Sequence, residues 1–228
     1  MMIHIPQLLT PEEVAQCRAI LEAAAWIDGK GTAGDQAGKA KFNLQIPEGS
    51  EAAIAAGDIV LRGLARSPLF SSAALPHRVL PPMFNRYDTG MKFDNHVDGA
   101  VRVIPGSGGQ RLRADISSTL FLTDPDDYDG GELVVEDTYG THSVKLPAGD
   151  IVVYPSSSLH HVTEITRGSR WSSFFWTQSM VRDDGKRMLL YDLDMAIIEV
   201  RQRLGDHEHA SVALASHYHN LLRRWAEL

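Results

Sequence analysis

The chain has 228 residues, 43% of them hydrophobic and 22% charged, which suits one sizeable globular domain able to bury a core without staples. Its net charge of -7, with no basic block beyond Arg223-Arg224, argues against a nucleic-acid face, which needs clustered Lys and Arg. The single cysteine, Cys17, excludes an intrachain disulfide and a cysteine-based zinc site. No apolar run nears the roughly 20 residues of a membrane span. The opening "MMIHIPQLLTPEEV" lacks a basic n-region and is broken by Pro6, so no signal peptide is expected. These features predict a soluble protein in a reducing, cytoplasmic setting with no membrane partner.

In chain order, Thr10-Pro11-Glu12-Glu13 reads as a capping box with proline at the first helical position. The helix it opens carries Val14, Cys17 and Leu21 on one stripe and is predicted to end near Trp26. Residues 28–41, "DGKGTAGDQAGKAK", read as a polar, glycine-rich surface loop, and a second helix is predicted over 50–66, stopping before Pro68. From residue 77 short runs of Val, Ile, Phe, Thr and Trp alternate with Gly, Pro and Asp turns. Strands are predicted near 78–87, 91–98, 114–122, 131–136, 140–146, 150–154, 159–165 and 170–178, which reads as a sandwich or barrel, jelly rolls included. "SSFFWT" is apolar on both faces and is expected to be central. After 184 the pattern returns to helix, with stripes at Leu189, Leu193, Ile197 and Leu204 and at Tyr218, Leu221, Leu222 and Trp225. The fold class is mainly β with flanking helices, divided into an N-terminal helical and loop part (1–76), a β core (77–180) and a C-terminal helical extension (181–228). The C-terminal helices would pack on the core or form a homo-oligomer contact.

His96-Val97-Asp98 ends a predicted strand, where a spacing of two places an imidazole and a carboxylate on one face, ready for one metal ion. Alone the triplet is weak, since chance supplies about one in a chain of this composition, and a surface histidine beside a turn aspartate is the commoner explanation. A facial triad needs a further histidine from another strand. "SLHHVTEITRGSR" supplies two, His160 and His161, of which only one can face a given site. Such a donor set with open positions favours Fe(II), although ligand type alone also admits zinc or manganese. Arg170 opens the apolar run "RWSSFFW"; a guanidinium buried there requires an anionic partner, which a bound dicarboxylate would provide bidentately.

These stretches together resemble the Fe(II)/2-oxoglutarate-dependent dioxygenases, and within them the PKHD-type hydroxylases of bacteria. The likeness is carried by "FNRYDTGMKFDNHVDGAVR", "STLFLTDPDDYDGGELVVEDTYG", "GDIVVYPSSSLHHVTEITRGSRWSSFFWTQS", the loop "TAGDQAGKAKFN" and the tail "YHNLLRRW". It implies a double-stranded β-helix (jelly roll) core with His96, Asp98 and His160 as iron ligands. His160 is selected because the family's third histidine lies five positions before the hydrophobic residue of a hydrophobic-T-x-G-x-R/K ending, here Ile165. Arg170 would grip the distal carboxylate of 2-oxoglutarate, and Tyr87 would hydrogen-bond the same cosubstrate. Glu164 stands where proline is usual. Further implications are Fe(2+), 2-oxoglutarate and O2 as cofactor and cosubstrates, L-ascorbate as auxiliary reductant, hydroxylation with release of succinate and CO2, and a link to iron homeostasis. Competing readings are a non-catalytic metal- and 2-oxoglutarate-binding regulatory module and a cupin-like enzyme using another metal.

Arg102, Arg111 and Arg113 flank the glycine-rich "PGSGGQRLR", which is either a solvated loop or a lid meeting an anionic or peptide substrate. Arg102, four residues past Asp98, is the substrate-binding candidate. The substrate is expected to be a small molecule or a peptide. "DPDDYDGGE" fails the calcium-loop pattern at its fifth position, Tyr128, and reads as an acidic turn.

Overall fold

A computed structural model describes residues 2–32, 38, 40–137 and 140–228; residues 33–37 and 39 of the predicted polar loop lie outside it. The chain begins with β1 (Ile3–Ile5), α1 (Pro11–Glu22), β2 (Ile27–Asp28), β3 (Lys41–Phe42), β4 (Leu44–Gln45), α2 (Glu51–Ala65) and α3 (Pro68–Ala74). The predicted capping box of α1 forms, with Thr10 Oγ1 accepting from the Glu13 amide and the Glu13 carboxylate accepting from the Thr10 amide. The helix ends before Trp26, whose indole N–H instead donates to the carbonyl of Leu21 and whose ring meets Trp171 edge-on. Helix α2 stops before Pro68 as expected. That proline then starts α3, which sequence reasoning missed, because Ser67 caps the next amides and proline suits a first helical position.

The β region follows as β5 (Pro76–Val79), β6 (Met83–Asp88), β7 (Lys92–His96), β8 (Val101–Val103), β9 (Arg111–Arg113), β10 (Ile116–Phe121), β11 (Leu133–Asp137), β12 (Gly140–Val144), β13 (Ile151–Pro155), β14 (Leu159–Val162) and β15 (Ser169–Ser179). The strand predicted over 78–87 is two strands, because Pro81 and Pro82 cannot donate to a ladder. Strands β8 and β9 form a hairpin where only a loop or lid was expected.

One sheet runs β1-β13-β10-β15-β6-β4-β2, with β5 also paired to β15, and the facing sheet runs β12-β11-β14-β7-β3. The chain therefore crosses between sheets repeatedly, from β6 to β7, β10 to β11, β12 to β13 and β14 to β15, and its strand pairs are antiparallel. This is a jelly roll, one of the sandwich and barrel folds that the strand pattern admitted and the one that the family resemblance implied. β15, containing "SSFFWT", sits between β10 and β6 at the centre of the larger sheet.

Alternation along these strands sorts the core into layers. Leu120, Ile151, Val153 and Phe175 face outward onto Leu21, Ile59 and Val60 of α1 and α2, while Tyr87, Phe121, Val135, Tyr154 and Val162 fill the space between the sheets. The C-terminal hairpin of α4 (Asp184–Leu204) and α5 (His209–Trp225) packs on the chain through Leu75, Val181 and Leu190, with Leu221, Leu222 and Trp225 against them. Just beyond α5, Glu227 reaches Arg113 of β9 at 3.1 Å, and Arg113 also pairs with Asp115 at 2.7 Å. Among the described residues no helix is long and apolar enough to cross a membrane.

The acidic turn of 124–131 is stitched to the segment preceding β15: the Asp129 amide donates to Arg167 O, and the Thr166 amide donates to Asp129 O. Gly130 makes this closeness possible. Its φ is +73°, and a Cβ there would stand 1.9 Å from the carbonyl oxygen of Glu164. Gly130→Ala is therefore expected to destabilise the fold by about 2 kcal/mol or more, read as a lower urea midpoint with unchanged slope.

Candidate metal centre

The site starts from one strand pairing. On β14 His160 is the register partner of His96 on β7, while Val162 pairs with Phe93. Two steps along β14 thus match three along β7, a bulge at Asp94 and Asn95. Bulges re-aim side chains beside functional sites. Here the extra residue turns Phe93 and His96, three apart, onto one face, where their rings stack at 3.6 Å. It also places the Asp94 carbonyl 2.9 Å from His96 Nδ1. His160 repeats the arrangement, with Nδ1 3.0 Å from the carbonyl of Ser158. A carbonyl can only accept, so both Nδ1 atoms carry the proton and both Nε2 atoms keep a lone pair for a metal.

Strand β7 ends at His96, so Asp98 reaches the site from the following loop rather than from the strand as expected. Ser117 of β10 donates to Asp98 Oδ2 at 2.6 Å and lies 2.8 Å from Ser156 Oγ. His160 Nε2 is 3.7 Å from the same Asp98 oxygen, and one donor atom from each of His96, Asp98 and His160 lies within 4.8 Å of the others. Burial, with His160 beside it, pushes the His96 imidazole down to about 4, keeping it in the neutral form that ligation requires. His161 pairs with Val134 and falls on the other side of the pleat.

The triad borders a cavity of about 560 Å³ between the two sheets. Arg170, 1% exposed, lines it. One guanidinium nitrogen donates to Ser172 Oγ at 2.7 Å, and among the described residues Nε has no hydrogen-bond partner and no carboxylate pairs with the group. A buried cation left this way is costly unless a ligand supplies the anion. Tyr87 lies across the ladder from Arg170, with the guanidinium 5.6 Å from its ring centroid. Burial pushes the Tyr87 phenol up to about 12, against the opposing pull of Arg170, so it stays a protonated donor. Two neutral imidazoles, one carboxylate, an adjoining cavity and an uncompensated guanidinium fit a ferrous ion with a dicarboxylate beside it.

Of the three arginines around the glycine-rich segment, Arg102 lines the cavity, Arg113 is held by Asp115 and Glu227, and Arg111 is exposed. Sequence reasoning missed Ser117, Lys41 and Trp176. Lys41 is only 3% exposed and lines the cavity; burial, with Arg102 nearby, lowers its ammonium to about 8. Nothing in its polar, glycine-rich surroundings signals this. Trp176 was legible in principle, since Arg170, Ser172, Phe174 and Trp176 alternate along β15 and all line the cavity.

Residues 82–178 match the 2OG-Fe(II) oxygenase superfamily and residues 184–227 the PKHD-type hydroxylase C-terminal domain. The chain is 67% identical to a PKHD-type hydroxylase of Methylobacterium nodulans and 64% identical to one of Cupriavidus metallidurans, each over 228 residues and the full length of both chains. Among solved structures it is similar to a Pseudomonas putida prolyl-4-hydroxylase (22% identity, TM-score 0.51, covering 78% of this chain and 92% of that one). It is also similar to a prolyl hydroxylase from Trichoplax adhaerens (14% identity, TM-score 0.54, covering 83% and 86%); at these identities the likeness shows the fold. The chain belongs to the PKHD-type hydroxylases of the 2OG-Fe(II) oxygenase superfamily, and is an oxidoreductase of the dioxygenase class.

Proposed function

We propose that His96, Asp98 and His160 hold Fe(II), that Arg170 and Tyr87 bind the distal carboxylate of 2-oxoglutarate, and that the enzyme hydroxylates a small-molecule or peptide substrate in the same cavity. The observation that carries this reading is the Arg170 guanidinium, buried without a carboxylate partner in the cavity the triad borders. A regulatory module that binds 2-oxoglutarate would use the same cation and differs from an enzyme in forming no succinate, whereas a cupin-like enzyme without 2-oxoglutarate leaves the cation unexplained. On family likeness alone, the reading extends to ascorbate as reductant, a cytoplasmic setting and a link to iron supply.

Bound ferrous iron supplies reductive activation of O2, coupled to conversion of 2-oxoglutarate into succinate and CO2 and to insertion of one oxygen atom into a substrate C–H bond. The protein's own part is positional. The carbonyls of Asp94 and Ser158 fix both imidazoles with Nε2 toward the ion, and Ser117 holds the carboxylate of Asp98. Ser172 braces one arm of Arg170 while donating its own proton to Asn85 Oδ1, so the guanidinium is oriented before ligand arrives. Leu133, Val162 and Phe174 give the cavity apolar walls that exclude water from a reactive site.

The primary test is aerobic incubation with Fe(II) and 2-oxoglutarate, measuring succinate; slow formation without substrate is expected, and none under any condition, with metal bound, would sink the assignment. His160→Ala is expected to abolish Fe(II) binding by calorimetry, whereas His161→Ala should bind as tightly as the parent; the reverse result would move β14 by one residue. Arg170→Ala should leave metal binding intact and weaken 2-oxoglutarate about 100-fold, because a charge-assisted bidentate contact is lost. Ser117→Ala should weaken metal affinity by about 10- to 100-fold, as loss of a ligand-orienting hydrogen bond does, with succinate formation restored by excess iron.

A further inference from the structure

Arg170 and Tyr87 account for one pole of the cavity, whereas Tyr154 stands at the metal pole without a role so far. It is the penultimate residue of β13, 4% exposed, and it lines the cavity. Pro155 then ends the strand, and a tight turn closed by the Ser158 amide donating to Pro155 O at 3.0 Å returns the chain to β14 and His160. Across this turn the Tyr154 ring meets the His160 imidazole edge-on, with centroids 5.2 Å apart and planes at 68°. On its other side Tyr154 is the register partner of Ser117, the residue that holds Asp98. Register partners share a face of their sheet, so the phenol stands beside two of the three candidate ligands.

Packing against His160 needs only an aromatic ring, which phenylalanine would supply; the hydroxyl needs a separate reason. Burying a phenol is costly unless its oxygen is hydrogen-bonded. The Thr119 hydroxyl, which lines the same cavity, is a hydrogen-bonding neighbour. It can donate to the phenol oxygen and leave the phenol's own proton for another acceptor. The charge of Asp98 also reaches Tyr154, but Asp98 Oδ2 already takes the Ser117 proton, and among the described residues no hydrogen bond joins Asp98 to the phenol. Burial and that negative charge keep the phenol protonated. The acceptor therefore comes from whatever fills the cavity beside the metal ligands.

Resting on the dioxygenase assignment, we infer that Tyr154 is a further cosubstrate-binding residue, whose O–H donates to 2-oxoglutarate at the end that chelates the metal. Arg170 and Tyr87 hold the distal carboxylate, so the cosubstrate is gripped at both ends and cannot swing about either. The contact fixes how the 2-oxo acid lies on the metal, and with it the side of the ion left open toward the substrate.

The test reads binding rather than turnover. Protein loaded with Fe(II) is titrated anaerobically with 2-oxoglutarate, and the visible charge-transfer band of the chelated 2-oxo acid is followed. A hydrogen bond to the chelating end stabilises the ligand orbital that receives charge. Tyr154→Phe is therefore expected to move the band to shorter wavelength and to weaken 2-oxoglutarate roughly tenfold. Its Fe(II) affinity without 2-oxoglutarate, by calorimetry, should equal the parent's, which also shows that the variant is folded. Tyr87→Phe should weaken 2-oxoglutarate with the band unmoved, because its contact is at the distal end. Tyr154→Met gives the same reading should the phenylalanine variant not fold. An unmoved band or undiminished 2-oxoglutarate affinity overturns the assignment. So does weaker Fe(II) binding by a variant with unchanged circular dichroism, which would place the phenol on Asp98 instead. Absence of any band in the Fe(II)-loaded parent counts against the dioxygenase assignment itself.

Discussion

The antiparallel contact of β14 with β7 sets His160 against His96, and everything chemical in the cavity is arranged around that register. Because side chains alternate, a slip of one residue would carry His160 out of the site and bring the neighbouring His161 in. The bulge on β7 is what makes the pairing productive. In a regular pleat with the same spacing, Phe93 and His96, three apart, would point to opposite sides of the sheet and the stacked ring would be lost. A local departure from the regular pleat thus does three things at once: it aims His96 into the cavity, sets its tautomer and packs its back.

The cavity is electropositive within an acidic chain. Arg170, Arg102 and Lys41 all line it, although the protein carries a net charge of -7. Surface acids favour solubility and act weakly through solvent, whereas buried cations act over short distances in a medium of low dielectric constant. The interior can therefore attract anions that the exterior field repels, which narrows what enters productively to ligands that fit closely enough to lose their water.

The β core was largely legible because it is written in short alternating runs, and the cluster because His96 and Asp98 sit at a spacing that strand geometry makes meaningful, while only the family resemblance chose His160 over His161 and a jelly roll among the sandwiches and barrels. The parts that escaped are those set by tertiary approach. The α3 helix depends on a capping serine overriding the stop that Pro68 seemed to impose on α2. Lys41 enters the cavity only because β3 pairs with β7, a contact far from anything periodic in its own segment. Asp98 comes together with His96 and His160 from a loop, whereas the strand that its two-residue spacing assumed ends two residues earlier. Ser117 looks like any other hydroxyl in a buried strand until the fold sets it under a carboxylate.

The ion pair between Arg113 and Glu227 bears on how one wall of the cavity is secured. Arg113 belongs to the same hairpin as Arg102, so the last residues of the chain brace one wall of the cavity mouth. Such a partly exposed pair is worth no more than about 1 kcal/mol and weakens with salt. The hairpin is therefore secured mainly by apolar contact, with Leu112, 1% exposed, packed among Leu80, Met83, Ala114 and Trp176. Salt reaches only the outermost tie, and the wall beneath it keeps its place.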